Sequence, residues 1–159
     1  MKKAIFLSII LFISVLCSNN IANAQDTQSA APEFQIIIEN FSHPDANTIE
    51  FDLELLNIIP KVPFELALFQ AGIYVNPEFY AGGKVTAAIV PGSSGLVEEQ
   101  QPQAITFSMD QNIIKLPSRT LKPLPKEVTS GKQRGTIVSA KLPGTRICRI
   151  QLKNMVPLS

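Results

Sequence analysis

The clearest pattern in the chain is a two-residue alternation from Thr48 to Leu55. Ile49, Phe51, Leu53 and Leu55 fall on one face, and Thr48, Glu50, Asp52 and Glu54 on the other. Successive side chains of a strand point to opposite faces, so this pattern predicts a half-buried antiparallel strand with its acidic face in water. Weaker alternation predicts further strands over Phe34–Phe41, Phe64–Val75, Lys84–Val90, Ala104–Met109, Asn112–Leu116, Thr136–Ala140 and Arg146–Lys153. Within Phe64–Val75 the phase changes. Phe64, Leu66 and Leu68 share one parity, and Phe69, Ala71, Ile73 and Val75 the other, so a bulge near Leu68 and Phe69 is expected. Clusters rich in Pro, Gly and Asn separate the runs, as turn residues should. Only Glu78–Ala81 and Gly95–Gln100 read as short helical turns. About seven to nine short strands without a helical stripe predict an all-β fold, an antiparallel two-sheet β-sandwich of cohesin-like or jelly-roll form.

The first segment has a different pattern. Lys2 and Lys3 precede an apolar run from Ala4 to Cys17, and Ala22-Asn23-Ala24 fits a small-x-small cleavage site. The expected organisation is a signal peptide over 1–24, a flexible leader over 25–32, a β-sandwich domain over 33–154 and a tail over 155–159. Acylation at Cys17 is the rival reading, disfavoured by Leu16, where a lipobox has a small residue. The apolar run is shorter than a spanning helix, and no later stretch is apolar enough to cross a bilayer. The expected destination is extracytoplasmic: extracellular, cell surface or periplasmic. Cleavage would leave about 135 residues, enough for a packed core. Cys148 would be the one cysteine left, without an internal disulfide. It alternates in phase with Ile150 and Leu152, which predicts a buried structural thiol.

Charge sharpens the picture. The sequence has 14 Lys+Arg and 13 Asp+Glu, but they are segregated. Gln25–Glu99 holds 11 acids and two bases, a net of −9, whereas Gln100–Ser159 holds two acids and ten bases, a net of +8. One expectation is intramolecular, with Glu50, Asp52 and Glu54 beside Arg149 and Lys153 in a shared sheet. The other is a basic docking segment over Lys115–Arg134. It would offer Lys122, Lys126, Lys132 and Arg134 to an anionic polysaccharide or lipid surface. The segment has no interleaved aromatics, so no nucleic-acid partner is expected.

Little in the sequence points to catalysis. His43, the one histidine, lies in a turn signal. Gly92-Ser93-Ser94-Gly95 is a residue short of a nucleophile elbow. No carboxylate pair is placed across a groove. The chain is therefore expected to be no enzyme, with no catalytic residue and no resident cofactor or metal. Calcium is the one cofactor alternative, through Asp45, Asn47 and Asp110 in turns. Phe79 and Tyr80 also lie at a turn, either as an exposed sugar-binding platform or with one ring plugging the core.

Several motifs carry a resemblance. They are Phe69-Gln70-Ala71-Gly72-Ile73-Tyr74-Val75-Asn76-Pro77, Phe79-Tyr80-Ala81-Gly82-Gly83, Ile89-Val90-Pro91-Gly92-Ser93-Ser94 and Pro143-Gly144-Thr145-Arg146-Ile147-Cys148-Arg149. Together they resemble the N-terminal β-sandwich module of exported Bacteroidota proteins that end in a type IX secretion sorting domain. Those modules are similar in architecture to cohesins and carbohydrate-binding modules. The likeness runs from about Glu33 to Asn154. It implies an exported, non-catalytic module with a structural or protein-interaction role, whose partner is another extracellular protein module or a polysaccharide. The alternative is a carbohydrate-binding module using Phe79 and Tyr80. The sequence stops at Ser159 where such proteins continue, so a truncated or stand-alone copy is expected, with Sec export what the chain itself supports.

Overall fold

The structure, a computed structural model, describes residues 31–80, 83–119 and 135–158. The expected signal peptide and most of the leader lie outside these residues. So does 120–134 of the expected basic segment Lys115–Arg134, the part that carries Lys122, Lys126, Lys132 and Arg134, whereas Lys115 belongs to the strand Ile113–Leu116 and Arg119 donates to the Gln101 carbonyl at 2.9 Å. Nine strands are present among the described residues. They are β1 (Phe34–Asp45), β2 (Thr48–Asn57), β3 (Glu65–Leu66), β4 (Ala71–Tyr74), β5 (Val85–Ile89), β6 (Thr106–Ser108), β7 (Ile113–Leu116), β8 (Thr136–Ile137) and β9 (Thr145–Asn154). Short 3-10 turns at Pro77–Tyr80 and Glu98–Gln100 occupy the two expected helical positions. All pairings are antiparallel. One sheet has the order β1-β2-β9-β5, a second β4-β7-β6, and β3 and β8 form a two-stranded ladder. The larger two sheets pack face to face, so the fold is the all-β sandwich that the alternation predicts.

The core lies between those sheets. β2 contributes Ile49, Phe51, Leu53 and Leu55, β9 contributes Cys148, Ile150 and Leu152, and β7 contributes Ile114 and Leu116. Strict alternation would send Arg146 of β9 inward and Ile147 outward. The ladder instead shifts register between Leu53, opposite Cys148, and Glu54, opposite Arg146. Ile147 is the extra residue of a bulge, so both Ile147 and Cys148 are buried and both Arg146 and Arg149 face the other way.

The acidic face of β2 departs from expectation. Asp52 and Glu54 are only 2% and 1% exposed, and Thr48 is buried beside them. β2 is thus covered on both faces. The reason is the pair of β9 arginines, which lie over the carboxylates and shield them from water.

The phase change in Phe64–Val75 also resolves differently from the expected bulge. β3 pairs with β8, whereas β4 pairs with β7. Residues 67–70 leave one ladder for the other, so each phase belongs to its own sheet. A two-residue ladder is weak alone, and buried Gln100 splints it. Its amide donates to the Leu66 carbonyl, and its carbonyl accepts from the Thr136 N–H at 2.8 Å and the Thr136 hydroxyl at 2.9 Å.

The turn into β9 requires a glycine. Gly144 has φ +125°, and a Cβ there would stand 2.6 Å from the Leu55 carbonyl oxygen. Gly144→Ala is expected to destabilise the fold by about 1–3 kcal/mol, seen as a lower urea midpoint at unchanged m-value.

Candidate interaction surface

Two features of the four-stranded sheet meet on β1, one polar and one apolar. The polar one is a network of carboxylates and arginines on the outer face. Asp52 is its centre. Its Oδ1 accepts from Arg149 at 2.9 Å, and its Oδ2 accepts from Arg146 at 3.0 Å and from the Asn40 amide at 2.9 Å. Arg149 also binds Glu50 at 2.9 Å, and Arg146 binds Glu54 at 3.1 Å. Gln151 donates to the remaining oxygen of Glu50 at 2.8 Å. Arg149 finally donates to the Ser42 hydroxyl at 2.6 Å and to the Asn40 carbonyl at 3.3 Å. One guanidinium thereby ties β9, β2 and β1 together.

The network is built around a second bulge. Glu39 lies opposite Asp52 and Ser42 opposite Glu50, so Asn40 and Phe41 together face the single residue Phe51. Asn40 takes the left-handed conformation at φ 54°, which asparagine tolerates better than most residues. The bulge sends the Asn40 amide to Asp52 and turns Phe41 to the core side, where its ring lies 5.6 Å from that of Phe51.

The carboxylates respond in opposite directions. Burial pushes Glu54 above its ordinary value, and the hydrogen bond and charge of Arg146 offset this only in part. Glu50 is held below its ordinary value, first by its hydrogen bond from Arg149 and then by Gln151. Hydrogen bonds to the carboxylates raise the Arg149 guanidinium further. Of the two bases expected beside this face, Arg149 is at its centre. Lys153 lies opposite Thr48 at the strand end, and Arg146 takes the place expected for it.

The apolar feature is the inner face of β1. Phe34, Ile36, Ile38 and Phe41 point to the core side but are 53%, 47%, 39% and 60% exposed. The cause is sheet width. β5 packs beside β6, and the second sheet ends at β4, so it does not reach beneath β1. A cavity of about 270 Å³ opens along this flank, between Ile38, Phe41 and Phe51 of the large sheet and, on the other side, Ile73 of β4, Val75 just after it and Phe79 of the 3-10 turn. Tyr74 stands exposed at its margin. Further along β1 the Phe34 ring stacks on Phe64 at 5.7 Å.

Among the described residues β1 is also an open sheet edge. The Ile58 N–H donates to the Glu33 carbonyl, which fixes the parity of the β1–β2 ladder. Gln35, Ile37 and Glu39 therefore hydrogen-bond inward to β2, and the N–H and C=O groups of Phe34, Ile36 and Ile38 point outward. Phe34, Ile36 and Ile38 thus combine exposed apolar side chains with backbone groups that β2 does not use, and Phe41 extends the apolar row. Sequence reasoning found the strand but not the surface.

The expected sugar platform is not assembled as a pair of exposed rings. Tyr80 is buried, donates its hydroxyl to Asn112 and meets the Phe107 ring edge-on at 5.7 Å. It is the ring that plugs the core, while Phe79 is half-buried beside the flank. The calcium candidates are engaged in turns. Asp45 accepts from the Asn47 N–H at 2.7 Å and the Thr48 hydroxyl at 3.0 Å, which hold its carboxyl below the ordinary value, in that order. Asp110 accepts from the Ser108 hydroxyl at 2.5 Å, which holds its carboxyl below the ordinary value. Among the described residues no three His, Cys, Asp or Glu side chains are grouped to hold a metal. The Ser93 hydroxyl serves the backbone, donating to the Val90 carbonyl at 2.6 Å and accepting from the Arg149 N–H at 2.9 Å. Cys148 is free and buried, and burial pushes its thiol up to about 12. No helix among the described residues is long and apolar enough to cross a membrane. No family model matches the chain, and neither does any curated protein or solved structure.

The network makes two measurable demands. Asp52→Asn is expected to cost about 2–3 kcal/mol, because two arginines lose a charged acceptor; urea denaturation at neutral pH checks it. The neighbouring glutamates should show opposite pH slopes. Glu54 is raised in the folded state, so its contribution is present below its unfolded value near 4.5 and lost as pH rises through the folded value. Glu50 is depressed, so its contribution is present above 4.5 and lost as pH falls through the folded value. The stability lost on Glu54→Gln should therefore shrink from pH 4 to pH 7, and that lost on Glu50→Gln should grow.

Proposed function

We propose that the chain is an exported, non-catalytic β-sandwich module with a structural or protein-interaction role outside the cytoplasm. The observation that carries this is the uncovered apolar row Phe34, Ile36, Ile38 and Phe41 on an open sheet edge. Contiguous exposed apolar surface is costly to keep in water and marks contact sites more often than scattered apolar residues do. An edge strand is also the place where another strand can add. Export rests on the charged and apolar pattern of Met1–Ala24.

The carbohydrate-binding reading stands second. Its platform needs exposed rings, and Tyr80 gives its ring to the core. What supports it is reduced to Phe79, half-buried beside the flank, and to Tyr74 at the margin.

Site-specific photocrosslinking in the producing cell separates the two. A photoreactive residue at Ile36 is expected to give adducts to protein, and one at Thr86 on the opposite edge strand is not. Adducts from Thr86 alone would overturn the reading. So would retention on a glycan array that Phe79→Ala abolishes.

A further inference from the structure

We propose that the occupant of the β1 flank is a second copy of the chain, joined by antiparallel pairing of β1 with β1 of its partner. The inference rests on reading the flank as a protein-interaction surface, and it names the partner. Area, free backbone groups and charge each point to it.

The four side chains of the row expose about 400 Å² of apolar surface, taking full aromatic and aliphatic side chains at roughly 200 Å² each. One partner's share of a standard interface is about 800 Å², of which somewhat over half is apolar, or about 450 Å². The row thus supplies close to one side of an ordinary dimer. In a two-fold arrangement both sides are supplied by the same row.

The backbone is prepared for it. Phe34, Ile36 and Ile38 direct their N–H and C=O groups to the open edge, and the ladder from Phe34 to Glu39 runs without a register shift. β1 carries no Lys or Arg. Its first half also lacks the prolines and bulges with which sheet edges are commonly blunted; its bulge and Pro44 come only after Glu39.

Charge selects the register. A two-fold axis at Ile36 would set Glu33 opposite Glu39 in both halves, which like charges disfavour. An axis at Ile37 sets Gln35 opposite Glu39, where the amide can donate to the carboxylate, and Ile36 opposite Ile38. The second register makes one eight-stranded sheet with the two apolar rows side by side. The polar networks of both copies lie on its other face.

The protein purified from expressing cells should sediment as a dimer at micromolar concentrations, with dissociation on dilution. Ile36→Pro removes an N–H that points to the open edge and none that β2 uses, and Ile36→Lys places a charge in the row. Both are expected to weaken the dimer at least tenfold. Should the proline variant fail to fold, the lysine variant carries the test. Hydrogen exchange gives a finer readout. The amides of Ile36 and Ile38 should be protected at high concentration and exchange freely at low concentration, while those of Gln35 and Ile37 stay protected throughout. A monomer at 100 µM, or a dimer untouched by both variants, overturns the proposal. If the monomer still crosslinks through Ile36 to a different polypeptide, the interaction reading stands and the self-pairing fails; with no adduct, both fail.

Discussion

The architecture hangs on Asp52. Its carboxylate is buried, and a buried charge is tolerated only when its oxygens are paired. Meeting that constraint fixes the neighbourhood. Arg149 must come from β9 on one side, Asn40 from β1 on the other, and Arg146 from the next position along β9 that can face the same way. Regular alternation cannot satisfy all three. Each flanking strand therefore carries a bulge, β1 at Asn40 and Phe41 and β9 at Ile147. The bulges in turn set which side chains enter the core, including Phe41 and Ile147. A polar requirement on one face of the sheet thus determines the packing on the other.

The same geometry explains why β1 stays in place although its inner face is poorly covered. The flank contributes less hydrophobic stabilisation than a covered strand would, because its apolar side chains keep much of their water contact. What holds the strand is its ladder with β2 and the reach of Arg149 across the bulge to Ser42 and the Asn40 carbonyl. The strand is anchored through its outer face, and this leaves its inner face available.

Much of the fold was legible in the sequence, for a definite reason. Period-two alternation reports which residues share a face, and in β2, β5, β7 and the second half of β9 that information is sufficient. It fails where the period breaks. Arg146 has inward parity by counting, and only the bulge at Ile147 turns it outward. The split of Phe64–Val75 between two ladders gives the same local signal as a bulge within one strand. Gln100 sits in a polar loop sequence that does not announce its burial against Leu66 and Thr136. The candidate surface was hidden for another reason. Phe34, Ile36 and Ile38 lie in an expected strand, and periodicity shows the face a residue takes but not whether the opposing sheet is wide enough to cover it. Phe79 and Tyr80 illustrate the converse, since adjacency in a turn does not make two rings share an exposure.

The buried thiol of Cys148 has a consequence for the chemistry of the folded chain. Burial, and after it the charge of Asp52, pushes its pKa up to about 12, so the thiolate is scarce near neutral pH. Disulfide exchange needs that thiolate and access to it, and the folded sandwich withholds both. The thiol is therefore inert toward oxidants and oxidoreductases while β9 is in place, and becomes reactive only when that central strand opens. Reaction of this thiol with an external reagent would therefore report opening of β9 rather than exposure at the surface.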